Sequence, residues 1–304
     1  MKSLKEALLN RPKNIDVASI VAEEYINVNY GIDGELTFEA VNGACIVNCD
    51  GNVKVTNKKI EKLTDGFVWG KVKGHFNCPG CNNLKSLKGA PEKVGKNFFC
   101  FGCDGLTDLI GAPETVNGSF YCSSCNSLTS LEGAPEYVGG IFNCESCDNL
   151  KSLEGAPKEI RGKFDCSSCK NLRTLEGAPK EIDRGFYCSY CDKLISLEGA
   201  PEKVGENFNC FMCSNLKSLE GAPKEVGGDF DCTQCKNLKF LKGAPEEVGG
   251  DFYCSYCDKL ISLEGAPEKV GGDFDCQRCR KLKSLEGAPK KVKRVLGDSR
   301  FKSV

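Results

Sequence analysis

The motif Cys-x-x-Cys occurs ten times in the chain, at Cys78/Cys81, Cys100/Cys103, Cys122/Cys125, Cys144/Cys147, Cys166/Cys169, Cys188/Cys191, Cys210/Cys213, Cys232/Cys235, Cys254/Cys257 and Cys276/Cys279. A thiolate is both a soft metal ligand and a nucleophile, so these pairs raise two chemistries. Two pairs eighteen residues apart have zinc-ribbon spacing, and ten could hold zinc or copper as a series of tetrathiolate sites. Nucleophilic catalysis needs a neighbouring base, and the only histidine is His75, three residues before Cys78.

The elements that position these thiols follow from a strict repeat. Every pair lies 22 residues from the next, without insertion or deletion. Around each pair runs the phrase Phe-x-Cys-x-x-Cys-x-x-Leu-x-x-Leu-x-Gly-Ala-Pro-x-x-Val/Ile, shown in full between Phe164 and Ile182. Phe164 and Cys166 are two apart and share one face of an extended strand, while Asp165 faces the other way. Leu172 and Leu175 also require burial. Gly177-Ala178-Pro179 is incompatible with helix and is expected to form an extended return. The fold class expected is therefore a mostly β repeat solenoid of the α/β type, with one short parallel strand per rung and non-helical returns. Ten strands at about 4.8 Å give a sheet roughly 45 Å long.

In that register both cysteines of a rung face the core, where a thiol packs as a small apolar group. Tetrahedral zinc needs four sulfurs about 2.3 Å from one point, whereas stacking spreads them into ladders of neighbours about 4.8 Å apart. Free buried thiols with no cofactor are the leading expectation; bound zinc, and then disulfides, are the alternatives. Cys45 and Cys49 stand outside the period and share a strand face. The same register turns Cys78 inward and His75 outward, which separates a nucleophile from its base.

The phrase resembles the leucine-rich repeat, with Phe76 and Cys78 at its strand positions and Cys81 at its Asn/Cys ladder position. The wording Leu-x-Gly-Ala-Pro-x-x-Val-Gly-Gly-x-Phe-x-Cys resembles, more specifically, repeat proteins of tailed phages and gut bacteria. That resemblance covers about three quarters of the chain. It implies a leucine-rich-repeat-like solenoid and a bacterial cytoplasmic or phage-encoded setting, and carries little about function.

Positions outside the fixed phrase vary and nominate a binding face. Between Phe and the first cysteine stand, among others, Phe99, Tyr121, Tyr187, Asp231, Tyr253 and Asp275; between the two cysteines stand Phe101, Phe211, Tyr190 and Tyr256. Five of the eight tyrosines thus fall on one expected surface. Aromatic side chains bury large area at low entropic cost, as binding surfaces require. Towards the C-terminal end the face becomes acidic through Asp229, Asp231, Asp251, Asp273 and Asp275, which favours cationic partners.

Three regions are expected: residues 1–74 as an N-terminal cap, 75–292 as ten rungs, and 293–304 as a tail. In the cap, 1–10 and 16–27 read as short amphipathic helices, the second starting at Asp16 before Val17, Ile20 and Val21. Segment 1–10 reads alternatively as a docking or packaging peptide. Stretches 35–40, 44–48 and 52–56 read as strands, and 52–72 as a degenerate rung in which Ile60 and Leu63 keep the two-leucine spacing.

Composition narrows the function. Lys plus Arg number 41 against 42 Asp plus Glu in 304 residues, so no basic excess points to nucleic acid. No apolar run approaches the roughly 20 residues of a membrane span, nor does a secretory leader show. The chain carries neither a phosphate loop nor a nucleophile elbow, so an enzyme is not expected. The leading expectation is a non-enzymatic scaffold binding a protein or peptide on the sheet face. A metal-thiolate protein is the alternative.

Overall fold

The computed structural model describes residues 17–301. They form a stack of short β rungs whose principal sheet has 13 strands. Successive rungs pair in parallel and in register, Phe76 with Phe98, Phe98 with Phe120, and so on to Phe252 with Phe274. Each rung donates to the next, as in Cys122 N to Asn143 O at 2.8 Å. Because the register repeats every 22 residues, identical side chains stack. The ten phenylalanine rings from Phe76 to Phe274 form one buried column with centroids 5.1 to 5.6 Å apart. The cysteines from Cys78 to Cys279 and the leucines from Leu84 to Leu263 lie beside that column, fully buried. A mostly β solenoid of 22-residue parallel rungs is therefore the fold.

The return differs from the extended segment expected. Ala178 N bonds Leu175 O at 3.0 Å, closing a tight turn in which Gly177 has φ +94°. That geometry admits glycine because a side chain at positive φ strikes its own backbone. A Cβ on Gly177 would also stand 2.4 Å from the Glu154 amide nitrogen of the rung before. Only the residues after Pro179 are extended, and Glu181–Ile182 makes a two-residue strand.

These return strands form a second sheet, which breaks once, into seven and five strands, between Glu159–Ile160 and Glu181–Ile182. The break coincides with a change in the residue after the Val/Ile. Glycine there allows close stacking: a Cβ on Gly139 would meet Asn117 O at 2.1 Å. Arg161 and Asp183 are the only successive rungs that both carry a side chain at this position. Their ion pair, 3.1 Å between Nη1 and Oδ2, bridges the break at the exposed surface.

At the N-terminal end, α1 (Val17–Asn29) lays Ile20, Ala22, Ile26 and Asn29 on the core. The expected apolar stripe is displaced, since Val17 and Val21 are exposed. The expected helix 1–10 and the Asp16 cap lie outside the described residues. Then follow β1 (Tyr30–Asp33), β2 (Leu36–Val41), β3 (Ala44–Cys49) and β4 (Asn52–Val55), of which β1 has no counterpart in the sequence reading. Strands β2 and β3 form a hairpin through Asn42 and Gly43, both at positive φ. Strand β4 pairs antiparallel with β1 and parallel with the first rung, Val53 opposite Phe76. Val53 and Val55 thus occupy the Phe and Cys positions, with Ile60 and Leu63 buried behind them. Trp69, on β5 (Val68–Val72), meets Tyr30 at 5.4 Å and Phe76 at 6.1 Å, closing the aromatic column. Tyr30 Oη donates to Leu63 O.

The tail is structured at the other end. Arg294–Leu296 pairs in parallel with Asp273–Asp275, Cys276 N reaches Leu296 O at 2.9 Å, and Arg278 N is met by Asp298 Oδ1 at 2.7 Å. Thus the last rung's donors, which have no following rung of the repeat, are satisfied. Among the described residues no helix is long and apolar enough to cross a membrane.

Candidate binding face

The cysteines fall on two buried ladders with different chemistry. From the second rung on, the second cysteine donates its thiol to the carbonyl of the first cysteine one rung earlier. Cys103 Sγ meets Cys78 O at 3.1 Å, Cys125 meets Cys100 O at 3.2 Å, and Cys279 meets Cys254 O at 3.1 Å. Cys169, Cys213 and Cys257 do the same towards Cys144 O, Cys188 O and Cys232 O, at 3.3, 3.1 and 3.3 Å. Burial pushes the Cys125 and Cys276 thiols up to about 12. It raises Cys100, Cys122 and Cys254 well above the ordinary thiol range. A protonated donor inside the core is neither a nucleophile nor a ready ligand.

In this geometry the ten pairs are not gathered into the tetrathiolate groups of the alternative expectation. Among the described residues no three His, Cys, Asp or Glu side chains converge as a metal-ligand group, and all 22 cysteines are free and buried. Cys169, Cys213 and Cys257, nominated as ligands by their zinc-ribbon spacing, meet carbonyls of the preceding rung and lie beside the Cys144, Cys188 and Cys232 thiols of that rung. The physical reason is the parallel register, which sets equivalent cysteines side by side along the stack and never four around one centre. Cys45 and Cys49 extend the buried face into the cap. His75 Nδ1 accepts the Asn97 amide at 3.1 Å, and its ring lies 5.9 Å from Phe99, while Cys78 is fully buried.

The varying positions line the outer side of the 13-stranded sheet. In the N-terminal half, Phe99 and Tyr121 stack at 5.0 Å, and Phe101 meets Phe99 edge-on at 6.4 Å. In the C-terminal half, Tyr190 meets Phe211 edge-on at 5.4 Å. The nominated aromatics thus gather into clusters on one face.

They are held differently. The ring of Tyr187 folds back over Gly185, where a Cβ would stand 2.6 Å from the ring, and Lys163 Nζ lies 5.3 Å from its centroid. Tyr253 donates its hydroxyl to Asp251 Oδ2 at 2.6 Å, which raises the phenol's pKa. Both tyrosines are half-buried. Tyr190 and Tyr256 instead stand out, at 47% and 51% exposure.

A property of these two positions is absent from the sequence reading. The second residue between the cysteines is left-handed in all ten rungs. Gly80 and Gly102 serve in the first two; in the remaining eight, from Ser124 to Arg278, φ runs from 55° to 62° without glycine. A side chain in this region costs roughly 1–2 kcal/mol. Serine fills it in the middle rungs, and then come Tyr190, Met212, Gln234, Tyr256 and Arg278. The signal was legible as a column that changes from Gly to Ser to large side chains.

The acidic residues divide into two sets. Asp229 Oδ1 accepts the Asp251 amide at 2.8 Å, and Asp251 Oδ1 accepts the Asp273 amide, so these carboxylates help to join successive rungs. Asp273 also binds Arg294, which lowers its pKa. This end of the acidic column is therefore partly neutralised from within the chain. Asp231 and Asp275 each accept the amide two residues on, at 2.8 and 2.9 Å, an arrangement shared by Asp165, Asn143 and Asn209. Burial raises both carboxyls above the usual carboxylate range. Asp231 Oδ2 has one long bond, 3.4 Å from Asn209 Nδ2.

A groove of about 820 Å³ lies elsewhere, against the β2–β3 hairpin and β5. Its Glu35, Glu39, Glu92, Lys71 and Lys73 make a mixed-charge lining without converging chemistry. No family model, curated protein or solved structure matches the chain.

Proposed function

We propose that the chain is a non-enzymatic, leucine-rich-repeat-like recognition scaffold that binds a protein or peptide on the outer face of its 13-stranded sheet. The observation that carries this reading is the conformation of Tyr190 and Tyr256. Each is a bulky residue held at positive φ, where the rungs of Ser124, Ser146 and Ser168 use serine, and each is about half exposed. Packing gains little from such a residue, so contact with another molecule is its physical rationale. The resemblance of the repeat phrase to repeat proteins of tailed phages and gut bacteria, together with 22 free thiols, supports a reducing setting such as a bacterial cytoplasm.

The test is selection of a randomised dodecapeptide display library on the immobilised chain, with the Tyr190→Ser/Tyr256→Ser variant as the competing surface. Serine occupies the same left-handed position at Ser124, Ser146 and Ser168, so the variant retains a residue the fold already accepts. Enrichment on the native face, lost on the variant, is expected. Equal recovery on both would overturn the reading.

A further inference from the structure

Residues 186–205 and 252–271 are identical at all twenty positions, which is true of no other pair of rungs. They lie three rungs apart, and each presents the same group: Tyr187 and Tyr190 in one, Tyr253 and Tyr256 in the other. At about 4.8 Å per rung the groups are separated by roughly 14 Å. An extended chain advances about 3.3–3.6 Å per residue, so four residues of a ligand running along the stack cover that distance. In such a chain residues i, i+2 and i+4 point the same way.

Between the two tyrosine groups lie the rungs of Phe208 and Phe230. Their outward positions hold Asn207, Asn209, Asp229 and Asp231, two carboxylates without a lysine or arginine. Asp229 uses Oδ1 for the Asp251 amide, and Asp231 uses Oδ1 for the Thr233 amide, while Asp231 Oδ2 has the long bond from Asn209 Nδ2 at 3.4 Å. The face also shows how it receives a cation, in Lys163 seated against the ring of Tyr187.

We propose that the occupant of this face is an extended basic peptide segment lying along the stack, of the form apolar-x-(Arg/Lys)-x-apolar. This rests on the recognition reading above. The outer apolar side chains pack against Tyr190, in its edge-on contact with Phe211, and against Tyr256. The central cation meets Asp229 and Asp231.

The sequences recovered from the dodecapeptide selection decide the matter. Tyrosine-dependent binders enriched for a basic residue flanked two positions away by apolar ones are expected. Their synthetic versions are expected to bind the Asp231→Asn chain at least about fivefold more weakly, and to weaken further as NaCl rises from about 0.05 to about 0.5 M. Asparagine fills the same position at Asn143 and Asn209 and accepts the same turn hydrogen bond, which guards the fold. Binders that need Tyr190 and Tyr256 but lack the basic centre, or ignore Asp231→Asn, overturn this inference and leave the recognition reading standing. Loss of tyrosine dependence overturns both.

Discussion

Cys125 Sγ donates to the carbonyl of Cys100 at 3.2 Å across the rung boundary, whereas Cys122, three residues earlier and equally buried, has no such acceptor. The two cysteines of one motif are therefore not equivalent. The second cysteine donates to the rung before it from the second rung on, whereas first cysteines that donate, Cys166 to Tyr187 O at 3.3 Å and Cys276 to Leu296 O at 3.5 Å, reach the following segment.

Serine distinguishes them. Cys125→Ser keeps a donor within reach of Cys100 O and is expected to be tolerated. Cys122→Ser buries a hydroxyl without an equivalent partner, and is expected to cost about 1–3 kcal/mol more in chemical unfolding. Equal losses would show that the thiol hydrogen bond contributes nothing.

Alkaline pH should unfold the chain early. A thiol ionises ordinarily at 9.0, but burial holds Cys125 and Cys276 near 12. The folded state thus retains protons that the unfolded state releases. Stability from these groups is complete below about pH 9 and is lost as pH rises towards about 12, each such thiol contributing about 1.4 kcal/mol per pH unit within that window. Denaturant midpoints should fall steeply between about pH 9 and about pH 11. A flat profile there would contradict burial of protonated thiols.

Two left-handed positions should respond oppositely to mutation. Gly177→Ala places a Cβ at φ +94° and 2.4 Å from a backbone nitrogen, and is expected to cost at least about 2 kcal/mol. Tyr256→Gly removes a side chain from the same region of φ at an exposed site, and is expected to be neutral or stabilising by up to about 1 kcal/mol. Thermal unfolding of both variants checks the pair; a large loss from Tyr256→Gly would mean that this ring supports the fold.

The break in the second sheet is open to repair. Asp183→Gly restores glycine at a position where rungs approach closely, and is expected to connect Glu159–Ile160 to Glu181–Ile182. Hydrogen exchange of the residue-183 amide should then slow to the rate of Gly205, whose amide bonds Ile182 O at 2.9 Å. Unchanged exchange would place the cause of the break elsewhere.

The core was legible in the sequence because it depends on spacing along one rung. Phe164 and Cys166 two apart, Leu172 and Leu175 after the turn, and the unbroken 22-residue step dictate which side chains face inward and that rungs stack in register. The outward columns that form the candidate face were legible for the same reason. Other features depend on atoms one rung away, and the tertiary structure decided them. Whether Asp229 is a free charge or an acceptor depends on where the Asp251 amide arrives. Whether Cys125 donates depends on the Cys100 carbonyl, and the turn at Gly177 is constrained by the backbone of Glu154. The left-handed corner that holds Tyr190 out is shaped by its amide bonding Phe211 O in the following rung at 2.9 Å. Arg294–Leu296 becomes a strand because the last rung offers it unpaired donors and acceptors. Side-chain period within a rung sets inside from outside; contact between rungs sets which outside groups remain free to bind.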